Sequence, residues 1–112
     1  MKKIEVIIKA ERLEILKEVL SAERVSGVMV TNIMGYGNQK GRTQIYRGVE
    51  YGVNMLPKLK VETVVPDEKV DQLVKDIQKN VTTGNIGDGK IFVYNVENAV
   101  RIRTGETGES AI

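Results

Sequence analysis

The sequence predicts an α+β domain in which four antiparallel strands form one sheet and two helices cover one of its faces. Four short runs are rich in β-branched and other apolar residues, as strands are, and two longer segments repeat apolar residues at helical spacing. These segments follow one another as strand, helix, strand, strand, helix, strand. That order is the split βαβ, or ferredoxin-like, arrangement βαββαβ.

The first half of the chain supplies two strands and a helix. Residues 4–8 are mostly β-branched and predict the first strand. Leucines and other apolar residues then recur at helical spacing over residues 11–20, and we expect this helix to end before Gly27, which suits a chain reversal. Residues 28–34 predict the second strand.

The second half supplies two more strands and the clearest helix. Residues 58–65 alternate charged and apolar side chains, as a half-buried strand does, and Pro66 with the two acids after it starts a helix. The apolar stripe of that helix is Val70, Leu73, Val74, Ile77 and Val81. A glycine-rich connection leads to a fourth strand at residues 91–96, and the small, polar residues 101–108 predict poor order.

Between the second and third strands, about residues 37–55 show neither sustained alternation nor a helical stripe. We therefore expect a long loop without secondary structure. Such loops are uncommon in compact domains and are usually functional or disordered. The sheet face opposite the helices also carries apolar residues on its first two strands, so we expect other copies of the chain to cover it.

The composition excludes several kinds of chemistry. The 112 residues suit one domain, and they contain no cysteine and no histidine, which removes thiol and imidazole catalysis and the common zinc sites. Any metal must be held by oxygen, as Mg²⁺ is on a nucleotide. The net charge of +2 is too small to argue for nucleic acid or a membrane surface. We expect a soluble, intracellular protein.

Three sets of residues are candidates for anion binding. The first is the run Gly-Asp-Gly-Lys at residues 87–90, whose glycines let successive N–H groups point into one concavity. The alternative is an ordinary turn, in which the Asp88 carboxylate caps backbone donors. The run is not a Walker A loop, because the spacing differs and a strand follows it.

The second set is Gly35, Gly37 and Gly41 around Gln39 and Lys40, and its alternative is the solvated base of a loop.

The third set is Arg101 and Arg103, which on an extended chain would project the same way and clamp a polyphosphate. A basic tail pairing with surface acids is the alternative. Lys58, Lys60 and Glu62 share one face of their strand, which we expect to be its solvent side.

Three separated motifs resemble one family. Residues 46–51, Tyr-Arg-Gly-Val-Glu-Tyr, are similar to its loop signature Y-[KR]-G-[AS]-[AE]-Y, with a departure at Val49. Residues 83–93 match TG-x-IGDGKIFV, and residues 101–106 match RIRTGE. Over essentially its whole length the chain resembles the PII family of nitrogen-regulatory signal transduction proteins.

This resemblance implies a homotrimer of single ferredoxin-like domains, residues 1–112, with ATP or ADP in clefts between neighbours. It implies a T-loop at about residues 37–55, a B-loop at about 82–90 and a C-loop at about 101–108. The implied nucleotide-binding residues are Gly35, Tyr36, Gly37, Asn38, Gln39, Glu62, Thr63, Val64, Gly87, Asp88, Gly89, Lys90, Arg101 and Arg103. Among them, Glu62, Thr63 and Val64 would meet the adenine largely through backbone groups, and Arg101 and Arg103 would reach in from the neighbouring subunit.

The same resemblance implies an ATP-dependent sensor of 2-oxoglutarate that is not an enzyme. Gln39 would ligate the Mg²⁺ carried by ATP, and the keto acid would be bound by Gln39, Lys40, Lys58 and Gly87. Bound ligand would select among T-loop conformations. The implied partners are an ammonium transporter, whose pore Arg47 would plug, and enzymes or regulators of nitrogen metabolism.

Tyr51 matches a tyrosine that some bacteria uridylylate. Other positions depart from the family pattern. Asn38 stands where many members have arginine, Met29 where a threonine often lines the nucleotide site, and Asn85 where a lysine is common. Val49 removes a serine that is phosphorylated in cyanobacterial relatives.

Two other functions stay open at this point. The first is a nucleotide-hydrolysing enzyme using the same intersubunit cleft, although we find no base poised for the attacking water. The second is an RNA-binding ferredoxin-like domain, which would stack bases on sheet aromatics. The chain has only one Phe and four Tyr, two of them in the long loop, so we do not expect direct nucleic-acid binding.

Overall fold

A computed structural model describes residues 1–36, 44–46, 49–51 and 55–112, with backbone only for 44–46 and 49–51. The strands and helices, in chain order, are β1 (Lys2–Ile8), α1 (Leu13–Ala22), β2 (Met29–Gly35), β3 (Gln44–Tyr46), β4 (Val49–Tyr51), β5 (Leu56–Val65), α2 (Val70–Val81) and β6 (Lys90–Asn95). The main sheet has four strands in the order β2-β5-β1-β6, and all its pairs are antiparallel. The predicted ferredoxin-like fold is confirmed.

The hydrophobic core lies between the sheet and the two helices. Alternate residues of β1 and β5 are buried there, since side chains of a strand point to opposite faces in turn. The core residues of these strands are Ile4, Val6, Ile8, Leu59, Val61 and Val65, and they cluster with Leu16 and Leu20 of α1 and Leu73 and Ile77 of α2. Each such side chain stabilises the fold by about 1.5–3 kcal/mol relative to an exposed one.

The opposite sheet face carries a network of charged and aromatic side chains. The Lys3 ammonium lies 4.5 Å from the centre of the Tyr94 ring, and the Tyr94 hydroxyl donates to Glu5 Oε2 at 3.1 Å. Lys3 and Lys60 lie 3.6 and 3.7 Å from Glu62 Oε1. The expectation that Lys58, Lys60 and Glu62 share the face away from the core is confirmed, because the core residues of β5 alternate with them.

The long segment between β2 and β5 contains secondary structure that the sequence did not predict. β3 and β4 pair antiparallel, with Gln44 opposite Tyr51 and Tyr46 opposite Val49. The expectation of a loop without strands was therefore wrong at these residues. Each strand has only three residues, so no sustained alternation could be recognised.

The C-terminal segment is folded, against the prediction of poor order. Val100 and Thr107 form an isolated bridge, and the Arg101 N–H donates to Glu106 O at 2.9 Å. Gly105 and Gly108 have φ values of +75° and +69°. The small residues here serve tight turns, because glycine adopts this backbone region without a steric penalty.

Helix α1 ends at Ala22, before Gly27 as the sequence predicts, and its end forms a Schellman motif. Arg24 is the left-handed residue, with φ of 57°, and the Val25 N–H donates to Leu20 O at 3.1 Å. Gly27 instead accepts a hydrogen bond on its carbonyl from the Thr63 hydroxyl at 2.5 Å. No described helix has the length and apolar character needed to span a bilayer.

Candidate functional site

A cavity of about 550 Å³ opens where the end of β2, the first half of β5 and the start of β6 meet; we call it the cleft. Its apolar lining comes from Ile7, Ile33, Ile86 and Phe92. It brings together six residues that the sequence assigned to ligand binding, namely Gly35, Tyr36, Lys58, Gly87, Gly89 and Lys90. Residues separated by more than 50 positions in the chain thus converge on one volume.

The loop at residues 82–90 forms one wall of the cleft and is organised by Asp88. Its Oδ2 accepts hydrogen bonds from Thr83 N at 2.7 Å, Gly84 N at 3.0 Å and Thr82 Oγ1 at 3.0 Å, and the Thr83 hydroxyl donates to Oδ1. These donors, the Thr83 hydroxyl foremost, lower the pKa of Asp88 to about 2. The expectation that this carboxylate caps backbone donors is confirmed.

Gly89 sets how close this loop comes to the sheet. It has φ of +109°, and a Cβ added there would lie 1.7 Å from the carbonyl oxygen of Ile7. A real side chain cannot occupy that space, so the backbone itself touches β1. Gly87 also has a positive φ, of +97°. Both conformations favour glycine, which explains this residue type at two of the four positions in the Gly-Asp-Gly-Lys run.

Two lysines give the cleft a positive character. Lys58 is half-buried, and its ammonium donates to the carbonyl oxygen of Gly87 at 2.9 Å. Lys90 is exposed and pairs with Ile7 in the sheet. Ammonium groups beside glycine backbone that a ligand can approach closely suit an anion with several oxygens. The residues present therefore fit a phosphate chain.

Among the described residues, the predicted nucleotide-binding residues Glu62, Thr63, Val64, Arg101 and Arg103 do not line this cleft. Val64 lies six positions beyond Lys58 along β5, roughly 20 Å at the usual rise of a strand. The C-terminal segment leaves the sheet at that far end, where Asn95 and Val65 both pair with Lys2. Neither Arg101 nor Arg103 lines the cleft. One chain therefore carries two separate groups of predicted site residues, one in the cleft and one outside it.

The far end of β5 offers its backbone rather than its side chains. The pairing of β2 with β5 stops at Met29 opposite Glu62, so Thr63 and Val64 pair with β1 only. The Thr63 side chain is 3% exposed, faces the core and donates to Gly27 O. A ligand at this edge can therefore be contacted by backbone groups, in keeping with the predicted role of residues 62–64.

The two arginines of the C-terminal segment are not on an extended strand, so that part of the prediction was wrong. Residues 102–104 form a turn, which the Gly105 N–H closes by donating to Arg101 O at 2.7 Å. Arg101 is paired with Glu106 at 3.1 Å, which matches the alternative of a basic tail pairing with surface acids. Arg103 is exposed.

Several predicted residues lie outside the described ranges, namely Gly37, Asn38, Gln39, Lys40 and Arg47. The magnesium ligand and the transporter contact therefore stay predictions. Sequence reasoning missed the apolar lining of the cleft, because Ile7, Ile33 and Phe92 were assigned only to strands. The strand register that turns them to the same face as Lys58 is not visible in the sequence.

Comparison with known proteins gives a consistent result. The family described as "Nitrogen regulatory protein P-II" matches residues 1–106. A protein of Haemophilus influenzae named nitrogen regulatory protein P-II is 56% identical over 112 residues, which is the whole of both chains. The Pasteurella multocida protein of the same name is 55% identical, and nitrogen regulatory protein P-II 1 of Escherichia coli is 51% identical, again over the whole of both chains.

Proposed function

The chain belongs to the nitrogen regulatory protein P-II family, and we propose that it is a non-enzymatic sensor of ATP or ADP and of 2-oxoglutarate. The observation that carries this proposal is the cleft, where a glycine loop and the ammonium groups of Lys58 and Lys90 meet. Close backbone approach and positive charge together are what a phosphate chain requires. Tyr36 and four apolar side chains in the same lining suit the rest of an organic ligand.

The nucleotide would lie between copies of the chain in a homotrimer. The cleft supplies the 82–90 loop and Lys58, whereas residues 62–64 and the two arginines lie outside it. A neighbouring copy of the chain would complete the site if its residues 62–64 and its two arginines lay at this cleft. The open sheet face supports such contacts, since Met29 and Phe92 there are 60% and 43% exposed.

The keto acid would bind beside the nucleotide. Lys58 would meet its carboxylate, with Gln39, Lys40 and Gly87 nearby, and Gln39 would also ligate Mg²⁺ with the ATP phosphates. When bound, Mg²⁺ on the ATP phosphates would supply positive charge to the keto acid. We therefore expect ADP to support binding of the keto acid only in part. The output would be a change in the population of conformations of residues 37–55. The protein would act in the cytoplasm and bind an ammonium transporter through Arg47. It would also bind enzymes or regulators of nitrogen metabolism.

A nucleotide-hydrolysing enzyme is the alternative for the same cleft. Asp88 belongs to the loop that forms one wall of the cleft, but its oxygens accept four hydrogen bonds from residues 82–84 and its pKa is lowered to about 2. Such a group is a poor base near neutral pH. Steady-state phosphate release faster than about one per second would favour the enzyme.

Titration calorimetry with 2-oxoglutarate tests the proposal. We expect heat of binding when Mg²⁺ and ATP are both present, and none with the keto acid alone. In Lys58→Met, the heat of 2-oxoglutarate binding in the presence of Mg²⁺ and ATP should disappear. Lys60→Met is the matched control, because Lys60 lies on the same face of β5 but contacts Glu62 instead of the cleft. Binding of the keto acid without nucleotide, or equal losses in both variants, would contradict the proposed site.

A further inference from the structure

Lys58 connects two elements across the cleft. It belongs to β5, and its ammonium donates to the Gly87 carbonyl at 2.9 Å. Gly87 is 29 residues further along the chain, in the 82–90 loop. The contact therefore joins a central strand of the sheet to the wall that would hold phosphates.

We propose that Lys58 is a positioning residue for the 82–90 loop: its ammonium holds the Gly87 carbonyl and so restrains the phosphate-binding backbone. This role is separate from the carboxylate contact proposed above, and it rests on the proposed function only for the identity of the ligand. It gives Lys58 a role that does not require contact with the keto acid.

Other contacts restrain the loop on either side of Gly87, but they do not restrain Gly87 itself. Asp88 organises the first part of the loop, at residues 82–84, and Gly89 is fixed by its contact with the Ile7 carbonyl. Gly87 lies between them and has no side chain to restrict its backbone, so its peptide group has many conformations to lose. Among the described residues, Lys58 supplies the side-chain hydrogen bond that reaches this loop from outside it.

The chemistry of an ammonium group allows both roles at once. An ammonium group has three N–H donors, so the contact with Gly87 and a contact with an anion can involve different hydrogens. That bond also keeps the positive charge at the cleft wall. An acid bound to Lys58 would restrain its side chain further and thereby restrain Gly87.

Amide hydrogen exchange of the ligand-free protein tests the inference directly. In Lys58→Met we expect the amides of residues 86–90 to exchange at least about threefold faster, since the loop loses one anchor. Lys58→Arg can still donate to the Gly87 carbonyl and should fall between Lys58→Met and the unchanged protein. Lys60→Met should behave like the unchanged protein. Unaltered exchange of residues 86–90 in Lys58→Met, with α2 and β1 also unaltered, would overturn the proposal.

Binding of Mg²⁺ and ATP separates positioning from charge. Lys58→Met should weaken binding by about 3- to 10-fold, the range expected for one hydrogen bond. The loss should persist near 1 M salt, where the Debye length is about 3 Å and distant charge attraction is screened. A loss that vanishes at high salt would mean that Lys58 contributes only charge, which contradicts positioning.

The two proposals can fail independently. If the unchanged protein binds no nucleotide but the exchange of residues 86–90 still rises in Lys58→Met, the proposed function is wrong and the positioning role holds. If nucleotide binds while that exchange stays the same, only the positioning role is wrong.

Discussion

Gly89 and Asp88 are neighbours in one loop, yet they stabilise it in different ways. Gly89 brings backbone against backbone, because the carbonyl oxygen of Ile7 occupies the place of a Cβ. Asp88 uses its side chain, whose oxygens accept from Thr82, Thr83 and Gly84. The first contact fixes the distance of the loop from the sheet, and the second fixes the shape of the loop itself.

Gly89→Ala should lower the free energy of unfolding by about 2–4 kcal/mol, because the added methyl group must displace either the loop or β1. Gly84→Ala is the control. Gly84 also has a positive φ, of +79°, but a Cβ there meets no atom within 4 Å, so the loss should be about 1–2 kcal/mol. Urea unfolding at fixed protein concentration measures both. Equal losses would mean that the contact with Ile7 does not matter.

The Asp88 carboxyl should titrate near pH 2 instead of near its ordinary 3.8. Because its pKa is lowered in the folded protein, its contribution to stability is complete above about pH 4 and is lost as the pH falls toward 2. The carboxyl carbon chemical shift, followed by NMR over that range, reports the pKa. The amides of Thr83 and Gly84 should shift with it. Titration close to pH 4 would contradict the hydrogen bonds described here.

At the scale of the element, the end of α2 is held by a side chain from the other helical segment. Arg12 precedes α1, and its Nε donates to Val81 O at 2.9 Å while Nη2 donates to Asn80 O at 3.1 Å. Carbonyls of the last turn lack partners within the helix, and a cation near them also interacts favourably with the helix dipole. The helix therefore ends at a defined residue immediately before the 82–90 loop.

Arg12→Met should lower the free energy of unfolding by about 1–2 kcal/mol, since two carbonyls lose charged donors. Lys17→Met, on the exposed face of α1, removes an i,i+3 contact with Glu14 and should cost at most about 0.5 kcal/mol. Thermal unfolding of both variants distinguishes a cap from a surface charge. If the two variants lose the same small amount, Arg12 does not cap α2.

How far each element could be predicted depends on the range of the interaction that creates it. The stripe of α2 is local and periodic, and the structure has its helix at Val70–Val81. The pairing of β3 with β4 and the left-handed conformation of Arg24 after α1 depend on a few residues each, and pattern alone did not reveal them. The helix ends before Gly27 as predicted, but the residue with positive φ at its end is Arg24, next to the hydrogen bonds that Arg24 N and Val25 N donate to Ser21 O and Leu20 O.

The candidate site was predictable to the extent that it consists of motifs. Residues 83–93 and 101–106 identified the loop and the arginines, but not which surface each occupies. That question depends on register, which places Ile7 beside Lys90 and turns Ile33 and Lys58 to one face. The hydrogen bond from Lys58 to Gly87 joins residues 29 positions apart, so no local pattern could predict it.

At the scale of the whole molecule, the predicted site residues divide into two groups. The cleft group contains Lys58 and Lys90, and the other group contains Arg103 and residues 62–64. A ligand that needs both groups has to contact more than one copy of the chain. Under the proposed function, each copy of the chain would contribute part of two ligand sites.

Mixing two defective variants tests this division. Lys90→Gln and Arg103→Gln should each weaken binding of Mg²⁺ and ATP about tenfold, as loss of a charged contact does. In trimers assembled from equal amounts of both, about a quarter of the interfaces would combine an intact cleft with an intact arginine. Calorimetry should therefore recover a tight class of sites. No recovery in verified mixed trimers would mean that each site belongs to a single chain.

The division of the site also has a genetic consequence. A copy damaged in both groups would impair the ligand on either side of it, including ligands held partly by undamaged neighbours. Expressed together with the normal gene, such an allele should reduce sensing by more than its share of the protein present. The allele would then be dominant because the two groups of site residues lie apart on each chain. The abundance and folding of the normal protein would not change.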